Sequence, residues 1–189
     1  MKYDLPDSQD EILPNLLDLK SVEEIGLSEF EGFLKAEILL TENLTHSTKF
    51  TVEYILDLHK IALQHLYPFA GKLRTVNMSK GGFTFPAARF LSDSMSEFNI
   101  GILSNLPDSY ENEEDLIQDI AVVHGELLFI HPFREGNGRT ARILANLMAR
   151  KQGFSALEFG RINKKNISKY ILAVQNCAAK DYGKIIDLI

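Results

Sequence analysis

The chain has 189 residues, enough for one good-sized domain or one domain with a short appendage. Apolar residues make up 45% and charged residues 24%, a balance typical of an ordinary globular protein. Asp and Glu outnumber Lys and Arg by 26 to 20, so the formal net charge is −6. This charge argues against a general nucleic-acid binder, which carries a cationic surface. An anionic ligand such as a nucleotide remains possible if the cations that hold it are gathered in one place.

Three absences in the sequence indicate where the chain works. The single cysteine, Cys177, can form neither an intramolecular disulfide nor a thiolate metal cage. Residues 1–11 are acidic and polar, which predicts no secretory signal peptide. The apolar runs are far shorter than the roughly 20 residues that span a membrane. We therefore expect a cytoplasmic protein with no membrane partner.

The first half of the chain predicts an arm, two helices and a hairpin. Residues 1–20 resemble a loosely ordered arm, and a helical pattern begins near Val22. Thr51 is a suitable N-cap for a second helix. Residues 71–85 contain two groups of strand formers around the turn cluster 79–82, which predicts a β-hairpin. The first helix carries apolar residues at three- and four-residue spacing, which predicts a buried stripe: Phe30, Phe33, Leu34, Ile38 and Leu39.

The second half predicts four more helices, over about 88–103, 114–130, 137–151 and 165–180. The second of these is apolar nearly all round, which is typical of a helix in the middle of a bundle. The predicted fold class is therefore all-α in the main, a helical bundle with one small β-hairpin. The inward face of the last helix is predicted from its apolar spacing: Ile167, Tyr170, Ile171, Val174 and Cys177.

The segment 131–142, with the sequence HPFREGNGRTAR, contains the candidate chemistry. Pro132 ends the preceding helix, and Gly136 and Gly138 allow a ligand to approach the backbone closely. The N–H groups at the start of the next helix form an anion site. Arg139 and Arg142 lie three positions apart, so both project from one side of the first turn, as a polyphosphate requires.

Two further side chains of this segment could serve a reaction on that anion. Glu135 is a carboxylate beside the expected phosphates, the usual means of holding Mg²⁺. His131 can accept a proton near neutral pH. Each feature alone is more often structural, and only their conjunction within twelve residues indicates a site.

This segment resembles the signature HPFx[D/E]GNGRxxR of the Fic (filamentation induced by cAMP) proteins at every specified position. The resemblance extends to residues 66–74 and 77–85 and covers about residues 45–180 in all. It implies a Fic-type helical bundle, with residues 1–44 as an N-terminal arm and helix and residues 45–189 as the catalytic domain. It also implies transfer of AMP from ATP to a Ser, Thr or Tyr hydroxyl of a target protein, with release of pyrophosphate.

The resemblance also implies roles for single residues. His131 would take the proton from the target hydroxyl, and Glu135 would coordinate Mg²⁺ between the α- and β-phosphates. Arg139 would bind the β-phosphate and Arg142 the γ-phosphate. Phe133 would be the buried anchor of the loop.

Other implied roles concern the anion site and the hairpin. Gly136, Asn137 and Gly138 would form the anion nest, with Asn137 also contacting phosphate. The hairpin, residues 72–85, would be a flap that pairs with the backbone of the target protein. Lys80 matches a flap position near the nucleotide, and its alternative is an ordinary exposed turn lysine.

Gly138 bears on the type of reaction, and Glu31 bears on regulation. Fic-fold kinases of the Doc type have Lys at the position of Gly138, so Gly138 favours AMP transfer over phosphorylation. The inhibitory pattern [S/T]xxxE[G/N] is matched only in part, by Glu31 and the following glycine, because Leu27 replaces the Ser or Thr. The alternatives to Glu31 are a separate small inhibitory partner or no restraint at all. His124 lies on the same helix face as His131, and we expect it to have a packing role.

Two alternatives to AMP transfer remain open at this stage. One is a Fic-fold phosphotransferase, and the other is a nucleotide-binding regulatory module with little turnover. The sequence does not define the target protein, the modified residue, the nucleotide preference or the oligomeric state.

Overall fold

The structure of the protein, a computed structural model, describes residues 12–80, 83–159, 162 and 167–188. These residues form a mainly helical bundle with one two-stranded antiparallel hairpin, as the sequence predicts. The elements, in chain order, are α1 (Val22–Glu42), α2 (Val52–Leu63), β1 (Ser79–Lys80), β2 (Phe83–Thr84), α3 (Leu91–Gly101), α4 (Glu113–Ile130), α5 (Asn137–Lys151), α6 (Ile167–Asn176) and α7 (Gly183–Ile186).

Helix α4 forms the centre of the bundle. Asn112 caps its N-terminus by accepting a hydrogen bond from the backbone N–H of Asp115. Ten of its eighteen residues are buried, and it packs against α3, α5, α6 and α7. The prediction of a central helix that is apolar nearly all round is therefore confirmed.

Helix α1 packs against α2 and α5 through a face that the sequence analysis did not select. Of the predicted stripe only Phe33 is buried, whereas Phe30 is 59% exposed and Ile38 51%. The reason is close helix approach, because a Cβ on Gly32 would lie 2.0 Å from the backbone oxygen of Ala62 in α2. The observed buried face is Ile25, Glu29, Gly32, Phe33 and Ala36.

The hairpin is shorter than predicted. Ser79 pairs with Thr84 and Lys80 with Phe83, so two residues of the predicted turn cluster belong to a strand. Residues 73–76, predicted as strand formers, are bends and irregular backbone instead. The middle of the predicted turn, residues 81–82, lies outside the described residues.

The termini of the bundle are tied to its core by a few contacts. Of the predicted arm, residues 1–11 lie outside the described residues, and the Leu16 N–H donates to the carbonyl of Leu66 at 2.8 Å. In α6 the buried residues are Tyr170 and Ala173, whereas Ile167 is exposed, so its predicted inward position is wrong.

No helix within the described residues is long and apolar enough to cross a bilayer.

Candidate active site

The segment between α4 and α5 is a tight loop. The residue that ends α4 and the residue that precedes α5 both have left-handed backbone angles. His131 is the C-cap of α4 and has a left-handed conformation, with φ of 53°. Gly136 is the N-cap of α5, with φ of 78°. A side chain on Gly136 would also meet the ring of Phe33 at 2.8 Å, so glycine is required there for two reasons.

The imidazole of His131 is held in one orientation by its surroundings. Its Nδ1 lies 3.1 Å from the carbonyl oxygen of Leu128, and because a carbonyl only accepts, Nδ1 carries the hydrogen. The ring stacks on Phe85, which follows β2, at 3.8 Å between centroids. Burial lowers the pKa of His131 to about 4, so the ring is neutral at pH 7 and Nε2 is its basic nitrogen.

Glu135 points back to the start of α5. Its Oε1 accepts a hydrogen bond from the Gly136 N–H at 2.9 Å and lies 3.3 Å from Nη2 of Arg139. The first intrahelical bond of α5 is donated by Thr140 to Gly136, so the N–H groups of residues 137–139 precede the regular ladder. These N–H groups and the helix dipole favour an anion at this position.

The side chain of Asn137 closes the loop. Its Oδ1 accepts from the Phe133 N–H at 2.8 Å, and its Nδ2 donates to the Phe133 carbonyl at 2.7 Å. Because both ends of this buried amide are used within the loop, the structure gives no support to the expected contact of the Asn137 side chain with phosphate. These two hydrogen bonds of Asn137 instead fix the loop backbone next to the anion site.

Phe133 is fully buried, as predicted, and it stacks on a histidine that the sequence analysis did not single out. The rings of Phe133 and His59 are nearly parallel, with centroids 3.8 Å apart. His59 Nδ1 accepts from the Gly71 N–H at 2.8 Å, so its Nε2–H donates to the carbonyl of Glu135 at 3.0 Å. His59 thus supports the loop from behind, a role for which the sequence around it gives no local signal.

A second unpredicted residue, Arg74, joins the loop to the hairpin. Its Nε donates to the carbonyl of His131 at 2.8 Å, and its two terminal nitrogens donate to the carbonyls of Val76 and Pro86 at 2.6 Å each. Arg74 is buried, and its backbone N–H also donates to the carbonyl of Pro132 at 2.8 Å. The base of the hairpin is therefore fixed relative to the imidazole.

Arg139 is held by three side chains. Its Nη2 donates to Oε2 of Glu29 at 2.7 Å and lies 3.3 Å from Oε1 of Glu135. Its guanidinium also lies over the ring of Phe33, 4.6 Å from the centroid. Glu29 and Phe33 both come from α1, about 110 positions earlier in the chain.

Arg142 lies one turn further along α5, next to the hydroxyl of Tyr170. That hydroxyl also lies 2.6 Å from Nε2 of His124, whose Nδ1 lies 3.2 Å from the carbonyl of Ala141. Burial lowers the pKa of His124 to about 4. His124 is thus an interior residue that connects α4, α5 and α6, in agreement with the expected packing role.

A cavity of about 420 Å³ brings most of the predicted site residues together. Its lining combines polar and cationic side chains of the loop and α5 with apolar side chains of the hairpin and α6. The predicted residues that line it are Lys80, His131, Glu135, Gly136, Gly138, Arg139 and Arg142. Despite the net charge of −6 of the chain, three cationic side chains therefore line this cavity.

Glu31 does not belong to this site. It is exposed on the outer face of α1, beside a surface depression that also involves Leu34 and Ile38. The carboxylate that α1 contributes to the site is Glu29, and it contacts the first arginine of the motif, Arg139, rather than Arg142. The partial match of Glu31 to an inhibitory pattern is therefore misleading.

The fold and the cavity define a class of protein: a helical bundle with a neutral imidazole, a carboxylate and two arginines around the N-terminus of a helix. The family model described as Fic/DOC family matches residues 49–149. The chain therefore belongs to the Fic/DOC family.

Relatives and solved structures agree with this assignment. The chain is 31% identical over 143 residues to the protein adenylyltransferase Fic of Nematostella vectensis, covering 75% of this chain and 31% of that protein. It is 32% identical over 133 residues to the protein adenylyltransferase fic-1 of Caenorhabditis elegans, covering 70% of this chain and 25% of that protein. The chain thus spans between a quarter and a third of the length of these relatives.

The fold matches that of bacterial Fic domains. The N-terminal Fic domain of a Bartonella effector protein from Bartonella sp. AR 15-3 superposes with a TM-score of 0.79 at 20% identity, covering 95% of this chain and 86% of that one. The BepC protein of Bartonella tribocorum, solved with bound AMPPNP, gives a TM-score of 0.77 at 16% identity, covering 95% and 91%. At these identities the likeness concerns the fold alone.

Proposed function

We propose that this chain is a protein adenylyltransferase, which transfers AMP from ATP to a hydroxyl side chain of a target protein and releases pyrophosphate. The observation that supports it best is that His131, Glu135, Arg139 and Arg142 line one cavity at the N-terminus of α5. The relatives named as protein adenylyltransferases point to the same activity.

The chemistry follows from the orientation of these groups. His131 is neutral at pH 7, so its Nε2 takes the proton from the attacking hydroxyl. The N–H groups at the start of α5, with Arg139 and Arg142, hold the phosphates and stabilise the charge that develops on the leaving pyrophosphate. Because these groups are already held in place by the loop and its supports, little reorganisation is needed during transfer.

Mg²⁺ is the cofactor that we propose for this site. Glu135 fits it, because Mg²⁺ is commonly held by one carboxylate together with substrate phosphates rather than by a cage of protein ligands. No group of three or more His, Cys, Asp or Glu side chains suited to a metal occurs among the described residues. When bound, Mg²⁺ would neutralise phosphate charge.

Beside the groups proposed to bind phosphate, the cavity has room for the base and sugar of a nucleotide. Phe83 and Phe85 of the hairpin and Ile171 and Val174 of α6 contribute apolar lining to this cavity, which the exposed Lys80 also lines. A cavity whose lining includes both apolar and cationic side chains suits a ligand that has a flat ring and phosphates. We therefore propose ATP as the co-substrate, with Lys80 near the nucleotide.

The target protein would dock on the flap, residues 72–85. The described strands are two residues long and stand beside the cavity, so an extended segment of a target could pair with the hairpin and bring its hydroxyl to His131. We also propose that any restraint comes from a separate partner, because Glu31 is exposed and away from the cavity. On this proposal the purified chain, supplied with ATP, Mg²⁺ and its target protein, is active without a separate activator.

Labelled ATP tests the proposed activity. A lysate treated with the chain and α-labelled ATP should gain label on protein, whereas γ-labelled ATP should give none. His131→Ala should reduce the transfer by at least about a hundredfold, because general-base catalysis contributes that much or more. Transfer of the γ-label would favour a phosphotransferase. Binding of ATP without any transfer would favour the regulatory module.

A further inference from the structure

Helix α1 lies outside the segment that the Fic/DOC family model matches, yet it contributes a buried carboxylate to the candidate site. The Glu29 side chain is only 4% exposed, and its two oxygens have different partners. Oε2 accepts from Nη2 of Arg139 at 2.7 Å, and Oε1 accepts from the hydroxyl of Tyr67 at 2.7 Å. Burial and the hydrogen bond to Glu29 raise the pKa of Tyr67, so its hydroxyl remains a donor.

The Glu29 carboxylate approaches Arg139 from the side away from the cavity. Arg139 lines the cavity and is 25% exposed, whereas neither Glu29 nor Tyr67 lines it. Phe33, one turn along α1, supports the flat face of the same guanidinium. Glu29 and Glu135 both accept from Nη2, so these two contacts engage only one end of the guanidinium fork.

We infer that Glu29 is a positioning residue: together with Tyr67 it fixes Arg139 from behind, so that the guanidinium meets a phosphate of the nucleotide already oriented. This inference rests on the proposed function, because it assumes that Arg139 binds phosphate. An arginine side chain loses considerable rotamer freedom when it is ordered. Where a buried carboxylate orders it in advance, ligand binding no longer has to supply that free energy.

If Glu29 instead opposed phosphate binding, its substitution would change the affinity for ATP in the opposite direction. If Glu29 acted only through its charge or blocked the phosphate, then Glu29→Gln would tighten binding, because a carboxylate near a polyphosphate repels it. If Glu29 positions Arg139, the same change weakens binding. Gln is nearly isosteric with Glu and can still accept from Tyr67, so the fold should tolerate it.

The test measures binding of ATP with Mg²⁺ by calorimetry and, separately, transfer of α-label at varied ATP concentrations. We expect Glu29→Gln to weaken binding about tenfold, the size of effect that follows when one charge-assisted hydrogen bond no longer orients a ligand-binding side chain. Tyr67→Phe should act in the same direction and less strongly. Glu31→Gln, two positions along the same helix and exposed, is the matched control and should bind as the unmodified chain does.

A double-mutant cycle separates positioning from general structural damage. In an Arg139→Ala background, Glu29→Gln should have no further effect on ATP binding, because the group that it positions is gone. An equal loss in both backgrounds, tighter binding, or unchanged binding in Glu29→Gln would each overturn the inference. If Glu29→Gln does not fold, Tyr67→Phe is compared instead in the unmodified chain and in Arg139→Ala. Weaker ATP binding in the first and no further effect in the second would support the inference.

The two readouts distinguish this inference from the proposed function. If the unmodified chain binds ATP without transferring label, the proposed activity fails while the binding cycle still decides the role of Glu29. If the unmodified chain does not bind ATP at all, both fail. If label is transferred normally by Glu29→Gln and its ATP binding is unchanged, only the positioning role fails.

Discussion

Two glycines with left-handed backbones are constrained very differently. Gly136 has φ of 78°, and a Cβ there would meet Phe33 at 2.8 Å and Leu63 at 3.2 Å. Gly153, just after α5, has φ of 85°, and a Cβ there would meet nothing within 4 Å. Backbone strain alone therefore acts at Gly153, whereas strain and a steric clash combine at Gly136.

Gly136→Ala should lower the free energy of unfolding more than Gly153→Ala does. The strained backbone costs about 1–2 kcal/mol at either site, and overpacking against Phe33 adds roughly 1–3 kcal/mol at Gly136 alone. Because Phe33 supports Arg139, Gly136→Ala should also weaken ATP binding. Denaturant unfolding and calorimetry measure both effects. Equal losses of stability in the two variants would contradict the clash.

At the scale of elements, the contact between α1 and α2 depends on small residues. Gly32 faces the backbone oxygen of Ala62, and the fully buried Ala36 lies one turn further along the same face. Several of the larger apolar side chains of α1 are on its outer face, where Phe30 is 59% exposed, whereas Phe33 is buried. This close packing brings Glu29 and Phe33 to the candidate site.

Gly32→Ala should therefore destabilise the protein, although alanine is the better helix former. The added Cβ would lie 2.0 Å from the Ala62 oxygen, so the helices must separate, at a cost of about 1–3 kcal/mol. Gly26→Ala, on the same helix with nothing within 4 Å, is the matched control and should stabilise by about 0.5–1 kcal/mol. Thermal unfolding of both variants gives the comparison. A stabilising Gly32→Ala would mean that the contact is looser than the structure shows.

At the scale of the whole molecule, three buried histidines make stability depend on pH. Burial lowers the pKa of His59, His124 and His131 to about 4 each. Their unfolded values are about 6.5. Between these values the unfolded chain binds more protons than the folded protein, so stability falls as the pH falls from 6.5 towards 4.

We expect the unfolding midpoint to fall steadily between pH 6.5 and pH 5. By linkage, each of the three histidines removes about 2 kcal/mol at pH 5, before most carboxyl groups titrate. His124→Gln should make the fall between pH 6.5 and pH 5 less steep, compared with the unmodified chain at the same salt concentration. A midpoint that does not change over this range would show that the histidines protonate without leaving the interior.

Much of this architecture follows from local signals in the sequence. The Thr51 cap, the apolar content of α4 and the break at Pro132 are local, and the structure has α2 and α4 where they predict helices. Helix propensity and capping act over a few residues, so they can be recognised without the fold. The length of the hairpin could not be predicted in this way, because strand pairing depends on tertiary context.

The chemistry of the candidate site is also largely local, since residues 131–142 contain the imidazole, the carboxylate, the glycines and both arginines. Its supports are distant along the chain: His59 stacks on Phe133, and Arg74 holds the carbonyl of His131. A histidine in an apolar helix or an arginine before a turn carries no sign of such a partner. These contacts exist only because the helices and the hairpin meet around the loop.

The sequence by itself determined the helices and the reactive groups, because both depend on residues a few positions apart. Only the tertiary structure decided which face of α1 is buried. Apolar periodicity favoured the face with Phe30, but steric access selected the face with Gly32, since small residues allow the helix backbones to approach. That choice places Glu29 against Arg139, a contact across 110 positions that no local pattern could specify.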